Sequence, residues 1–136
     1  MLLKVSIIIP AFNEEKKLAQ TLQSLTSQTY PNTEIIVIDN NSTDATTQIA
    51  QNYTKLVFPE PQKGYLHAAA RGAQIATGDF LTFCDADTQY PPNWLTDIMA
   101  EFEKHPNTVA AYGSCITYDS NAFGNRFNWL VYTSLL

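Results

Sequence analysis

Two carboxylates spaced two apart, Asp85 and Asp87 with Ala86 between them, directly follow the apolar run Phe80 to Cys84. Such a pair can offer oxygens to one hard cation while phosphates complete its coordination. The cation would then neutralise charge on a departing diphosphate as a Lewis acid. By its position Asp87 is the expected metal ligand, whereas Asp85, nearer the strand, could instead contact ribose or sugar hydroxyls. The same triplet also fits a turn or a helix cap. Asp39 ends another apolar run, where its carboxylate could accept the imino hydrogen of a base or the hydroxyls of a ribose, or close an Asx turn. Pro10, Ala11, Phe12 and Glu14 form a third polar edge after Val5 to Ile9. There Phe12 could lie against a base, and Glu14 could bond a ribose or favour a helix start. Arg71, within an Ala-rich stretch, could reach phosphate or pair with a carboxylate such as Asp79. Asn40 and Asn41 read as turn residues, His67 as solvent-facing or packed, and His105, before Pro106, as loop.

The elements that must hold these residues alternate. Val5 to Ile9 is β-branched and reads as a strand buried on both faces, stopped by Pro10. Glu14 to Gln28 spaces Leu18, Leu22 and Leu25 as a helix, with both glutamates in its first turn. Further strands are expected over Glu34 to Ile38, Lys55 to Phe58, Phe80 to Cys84 and Val109 to Thr117. Helices are expected from Ser42 or Thr43 to about Asn52, over Gly64 to Thr77, and after the paired Pro91 and Pro92. Such alternation predicts an α/β fold with a mainly parallel sheet covered on both faces. In such sheets ligands bind beyond the carboxyl ends of the strands, which is where the three polar segments fall.

The bulk properties narrow the function. The chain of 136 residues is one domain by length, with 45% hydrophobic and 15% charged residues. A formal charge of -5 speaks against a general nucleic-acid or anionic-membrane binder, but suits acidic residues that handle phosphates through a cation. Cys84 and Cys115 lack metal-ligand spacing and read as buried thiols in a reducing cytoplasm. No run reaches the length of a membrane span. Without a Ser/His/Asp arrangement, a Walker loop or a Gly-x-Gly-x-x-Gly pattern, hydrolase, nucleoside-triphosphatase and dinucleotide readings lack their motifs.

Taken together, residues 5 to 15, 35 to 44, Ala69-Ala70-Arg71-Gly72, Gly78-Asp79 and Asp85-Ala86-Asp87-Thr88 resemble the family 2 glycosyltransferases over roughly residues 4 to 118. The resemblance implies a GT-A, Rossmann-like α/β/α sandwich, a nucleotide-diphosphate sugar donor with a UDP-sugar favoured, a magnesium or manganese ion, and inversion at the anomeric carbon. It implies that Pro10, Ala11, Phe12 and Glu14 surround the nucleoside and Asp39 binds the base. Arg71 would lie near the diphosphate, and Asp85, Ala86 and Asp87 would form the donor and metal motif. Gly72 departs from the pattern, since the family commonly has Asn there, so a polar helix-side contact would be missing or supplied by another residue.

An inverting transfer also needs a base to deprotonate the acceptor. Only Asp97, Glu101, Glu103 and Asp119 follow Asp87, none in a recognisable base motif. The expectation is therefore a donor-binding domain over residues 1–118 whose acceptor half is missing, followed by an apolar tail over 119–136. Phe127, Leu130, Val131 and Leu135 give that tail helical spacing. Packing on the domain, an interfacial position near a membrane, or homodimerisation are its readings. The acceptor, whether glycan, lipid or protein, is not written in the sequence. Expected are a cytoplasmic site, free or at the membrane's cytoplasmic face, and a role in cell-envelope polysaccharide synthesis. The alternative is a module that binds nucleotide sugars, or assembles with partners, without turnover.

Overall fold

A computed structural model of the chain describes residues 2–116 and 126–133, with side chains described through residue 111. In chain order the elements are β1 (Val5–Ala11), α1 (Leu18–Thr26), β2 (Thr33–Asp39), α2 (Thr46–Gln51), β3 (Val57–Pro59) and α3 (Tyr65–Ile75). They continue with β4 (Phe80–Phe83), α4 (Trp94–Lys104), β5 (Ala110–Ile116) and β6 (Arg126–Thr133). One sheet of order β3-β2-β1-β4-β6-β5 runs through the molecule. Its first four strands are parallel, and β6 pairs antiparallel with both β4 and β5. The fold is thus the α/β class expected from the alternation of elements.

Every residue of β1 is buried, because helices cover both faces of the sheet. Ile7 and Ile9 join Leu18, Leu22 and Leu25 of α1, Ala50 of α2, and Leu95, Ile98 and Met99 of α4 in the larger core. Ile36 and Ile38 of β2 meet Ala68 of α3 in a smaller core on the opposite face. There α3 comes unusually close. A Cβ at Gly72 would collide with Ile8 Cγ2 and stand 3.3 Å from Ile38 Cγ1. Gly72, read from sequence as a lost polar contact, is a packing residue: an Asn here would displace Ile8.

Several boundaries differ from expectation. β1 continues through Pro10 to Ala11, where the missing N–H breaks no pair with β4, whose last register pair is Ile8 with Phe83. α1 begins at Leu18, so Glu14 and Glu15 lie in the loop before it and not in its first turn. The tail is the largest correction. Where helical spacing predicted a helix, residues Arg126–Thr133 form β6. The segment is rich in aromatic and β-branched residues, which suit a strand equally. The open edge of β4 and the unpaired β5 supply backbone partners on both sides. Asp119, Thr117 and Leu135 lie outside the described residues. Among the described residues no helix is long and apolar enough to cross a membrane.

At the end of the sheet away from those strand ends, the Glu34 carboxylate takes bonds from Lys4 Nζ at 2.7 Å, from Ser6 Oγ and from Thr77 N–H at 2.7 Å. Burial alone would raise its pKa, but these donors outweigh burial and hold it at about 2 instead of the ordinary 4.5. Because the folded value is the lower one, the stabilisation is complete above the ordinary carboxylate range and is lost as pH falls from there toward 2. Urea unfolding between pH 7 and pH 2.5 should show Glu34→Gln costing roughly 2 kcal/mol at neutrality and little at the acid end. A cost independent of pH would refute this.

Candidate functional site

The parallel strands bring their carboxyl ends to one edge, where Ala11, Asp39 and Pro59 stand in register. A cleft of about 580 Å³ opens there, within the range usual for small-molecule sites. It is lined by Pro10, Ala11, Phe12 and Glu14 after β1, by Asn40 after β2, and by Asp85, Ala86 and Asp87 after β4. Lys63, Gly64, Tyr65 and Ala68, at the start of α3, complete the wall.

The first loop is laced to the loop after β2. Asn13, in the left-handed region at φ 55°, accepts the Thr43 N–H through Oδ1 at 2.8 Å, and its own N–H donates to Ser42 Oγ at 2.9 Å. The Glu14 N–H donates to Thr46 Oγ1 at 2.8 Å, and the Ala45 N–H donates to Glu15 Oε2 at 3.2 Å. This lacing leaves Phe12 half-exposed on the cleft wall.

The acidic loop is braced from α1 and from within. Thr21, fully buried, donates its hydroxyl to the Ala86 carbonyl at 2.9 Å. The Asp85 N–H donates to the Tyr90 hydroxyl at 3.0 Å, and the Tyr90 N–H to Ser24 Oγ at 3.0 Å. Asp85 and Asp87 are therefore held by backbone bonds that do not use their carboxylates.

Electrostatically the cleft is strained toward cations. Burial, and then the charge of Asp87, push the Asp85 pKa up. Burial raises Glu14 as well, with Asp87, Asp44 and Asp85 adding to it against the opposing charge of Lys17. Lys17 Nζ lies 3.5 Å from Asp87 Oδ2, both groups substantially exposed. Such a pair is weak. Among the described residues no three His, Cys, Asp or Glu side chains close around a metal position. Two mutually repelling carboxylates nevertheless fit a magnesium-like ion, which binds through one or two carboxylates and takes its remaining oxygens from phosphate and water.

Of the residues singled out from sequence, the first loop and the acidic triplet meet in the cleft. Asp39 and Arg71 do not line it. Asp39 Oδ1 accepts the Ser42 N–H at 3.3 Å, a local side-chain-to-backbone bond three residues on, one beyond the reach of the Asx turn that was the other reading of this residue. Arg71 is on the exposed side of α3. Asp97, Glu101 and Glu103 are exposed on α4 and contribute nothing to the cleft. Sequence reasoning missed Lys63, Gly64, Tyr65 and the cleft role of Asn40. A Lys-Gly pair opening an Ala-rich helix was the one available signal for the first two.

A mostly parallel sheet with an aromatic loop and paired carboxylates at its carboxyl edge is the GT-A, Rossmann-like α/β architecture. The family model for Glycosyl transferase family 2 matches residues 6–134, and the chain belongs to that family. Glycosyltransferase AglE of Haloferax volcanii is 34% identical over 99 residues, covering 67% of this chain and 33% of that protein. A crystal structure of S. aureus TarS 1-349 superposes with a TM-score of 0.78 at 27% identity, over 90% of this chain and 38% of that one. TarS 1-349 has also been solved with UDP and with UDP-GlcNAc. The mannosyltransferase PcManGT from Pyrobaculum calidifontis, in complex with GDP-Man and Mn2+, matches with a TM-score of 0.68 at 26% identity, over 85% of this chain and 36% of that one. The chain thus spans between 33% and 38% of the length of these proteins.

Proposed function

We propose that this chain is the donor-binding part of a glycosyltransferase that takes a nucleotide-diphosphate sugar, a UDP-sugar by preference, and transfers the sugar with inversion to a glycan, lipid or protein acceptor. The observation that carries the reading is the convergence of the Pro10–Glu14 loop and the Asp85–Asp87 loop on one cleft at the carboxyl edge of the sheet. Relatives solved with UDP-GlcNAc and with GDP-Man and Mn2+ support it.

In this reading Phe12 offers its face to the base, and Asp39, beside the cleft lining on the same strand edge, would meet the base through the oxygen that does not hold Ser42. Glu14 bonds the ribose. Asp85 and Asp87 would hold a magnesium or manganese ion, which when bound supplies charge neutralisation at the diphosphate. No carboxylate of α4 reaches the cleft, so the chain by itself is expected to bind donor and transfer little. A binding module without turnover is the second reading, favoured by the same absence among the described residues. Sugar transfer by the whole protein, with Asp87 intact and replaced, separates the two. The site would face the cytoplasm, in synthesis of cell-envelope polysaccharide.

Calorimetric titration with UDP, with and without manganese, is the direct test: affinity that manganese does not raise, or no binding at all, would sink the reading. Phe12→Ala should weaken UDP about tenfold, the size of one lost base-stacking contact. Inorganic pyrophosphate should bind this variant as it binds the wild type. Equal losses for both ligands would place Phe12 elsewhere.

A further inference from the structure

Asn40 was read as a turn residue, yet its amide is 7% exposed and fully engaged. Nδ2 donates to the Glu60 carbonyl at 2.9 Å and to the Gln62 carbonyl at 2.8 Å, while Oδ1 accepts the Gly64 N–H at 2.7 Å. The Asn40 N–H donates to the Ala11 carbonyl at 2.8 Å, which anchors the residue to the end of β1. With Asn41 Nδ2 donating to the Pro61 carbonyl at 2.8 Å and the Glu60 N–H to the Asp39 carbonyl at 2.9 Å, this side chain fastens the 60–64 segment to the strand edge, and of the two asparagines it alone reaches Gln62 and Gly64 on either side of Lys63. Gly64, at φ 127°, then turns the chain into α3, a conformation that favours glycine.

The fastened segment carries a charge. Among the described residues Lys63 is the one basic side chain lining the cleft, against Glu14, Asp85 and Asp87. A diphosphate entering beside three carboxylates meets repulsion that a cation on the facing wall would offset. Lys63 is exposed and makes no ion pair with another described residue, so its ammonium is available to a ligand. Arg71, the basic residue expected near phosphate, is outside this wall.

We propose that Lys63 contacts the donor diphosphate and that Asn40 is the positioning residue that holds it there. The inference rests on the donor-cleft reading above and assigns residues that sequence reasoning passed over. An Asn whose role is only to close a loop would alter stability, and with it every ligand alike. An Asn acting through Lys63 alters diphosphate affinity selectively.

The test measures binding of UDP, inorganic pyrophosphate and uridine in magnesium to the purified chain, with thermal melting alongside. Lys63→Gln should weaken UDP and pyrophosphate about tenfold, the size of one charge-assisted hydrogen bond, and leave uridine unchanged. Lys63→Arg should restore most of the loss. Asn40→Ala should match Lys63→Gln on the two diphosphates, and the double variant should be no weaker than either single, as expected of residues acting in one chain of contacts. Losses that multiply in the double variant overturn the positioning role. A Lys63→Gln variant that loses uridine as much as UDP, or loses neither diphosphate, overturns the contact. Should Asn40→Ala fail to fold, Asn40→Ser, which retains one hydrogen-bonding group, replaces it in the cycle. Pyrophosphate bound through Lys63 with no binding of UDP would leave this assignment standing and defeat the nucleotide reading. A wild-type chain that binds neither would defeat both.

Discussion

Asp87→Asn is expected to lower the affinity for UDP in manganese about a hundredfold, near 2.7 kcal/mol, while leaving metal-free binding almost untouched. Asn keeps the shape of the side chain and removes the charge that a hard cation seeks. The fold should not notice. The Asp87 side chain is 39% exposed, its one ion pair, to Lys17 at 3.5 Å, is solvent-screened, and the loop is held through the Ala86 carbonyl and the Asp85 N–H. A melting temperature within a degree or so of wild type would be ordinary for such a surface change. The charge of Asp87 also raises both Asp85 and Glu14, so its removal relieves repulsion among the remaining carboxylates. Metal-free UDP is therefore expected to bind slightly better, if it changes at all. Calorimetry with and without manganese separates these effects. Equal losses in both conditions would mean that Asp87 touches the nucleotide directly and holds no metal.

The second large effect is on stability. Gly72→Ala should destabilise the chain by about 2 kcal/mol, in the range for overpacking a close contact. Intrinsic helix propensity argues the other way, since Ala favours a helix by about 1 kcal/mol over Gly. The sign of the result therefore decides between local preference and packing. Packing should win: Ile8 and Ile38 are both fully buried and cannot retreat into solvent. Thermal melting should fall by roughly 8 °C for a domain of this size. An unchanged or higher melting temperature would show that α3 can ride outward at no cost. Because Lys63, Gly64 and Tyr65 open that helix, a displaced α3 should also weaken UDP binding, which a melt alone would miss.

How much of this was legible in the sequence follows from the range of the forces involved. The parallel strands could be read because burial on both faces demands continuous apolar runs such as Val5 to Ile9. The acidic triplet and the Phe12 loop could be read because their residue types carry chemistry and strand ends share an edge. Asn40 could not be ranked, since its meaning lies in the Glu60 and Gln62 carbonyls and the Gly64 N–H, 20 to 24 residues away, and nothing local distinguishes it from Asn41. Lys63 was equally mute until the loop that carries it was placed. β6 was misread for a different reason. Its residues satisfy two periodicities at once, and only the vacant edge of β4 chooses between them. Gly72 was noticed, but as a missing polar group, because a sequence does not display the distance between a helix and the strand beneath it.

The sheet order has a consequence for how the chain comes off the ribosome. Among the described strands, β5 emerges before β6 yet pairs with β6 alone, and β4 gains its second neighbour when β6 arrives. During synthesis the parallel half can assemble while one flank of it still shows a row of unsatisfied peptide groups, the kind of surface on which nascent chains stick to one another. Arg126–Thr133 thus covers that flank, and until it is synthesised the edge of β4 stays open.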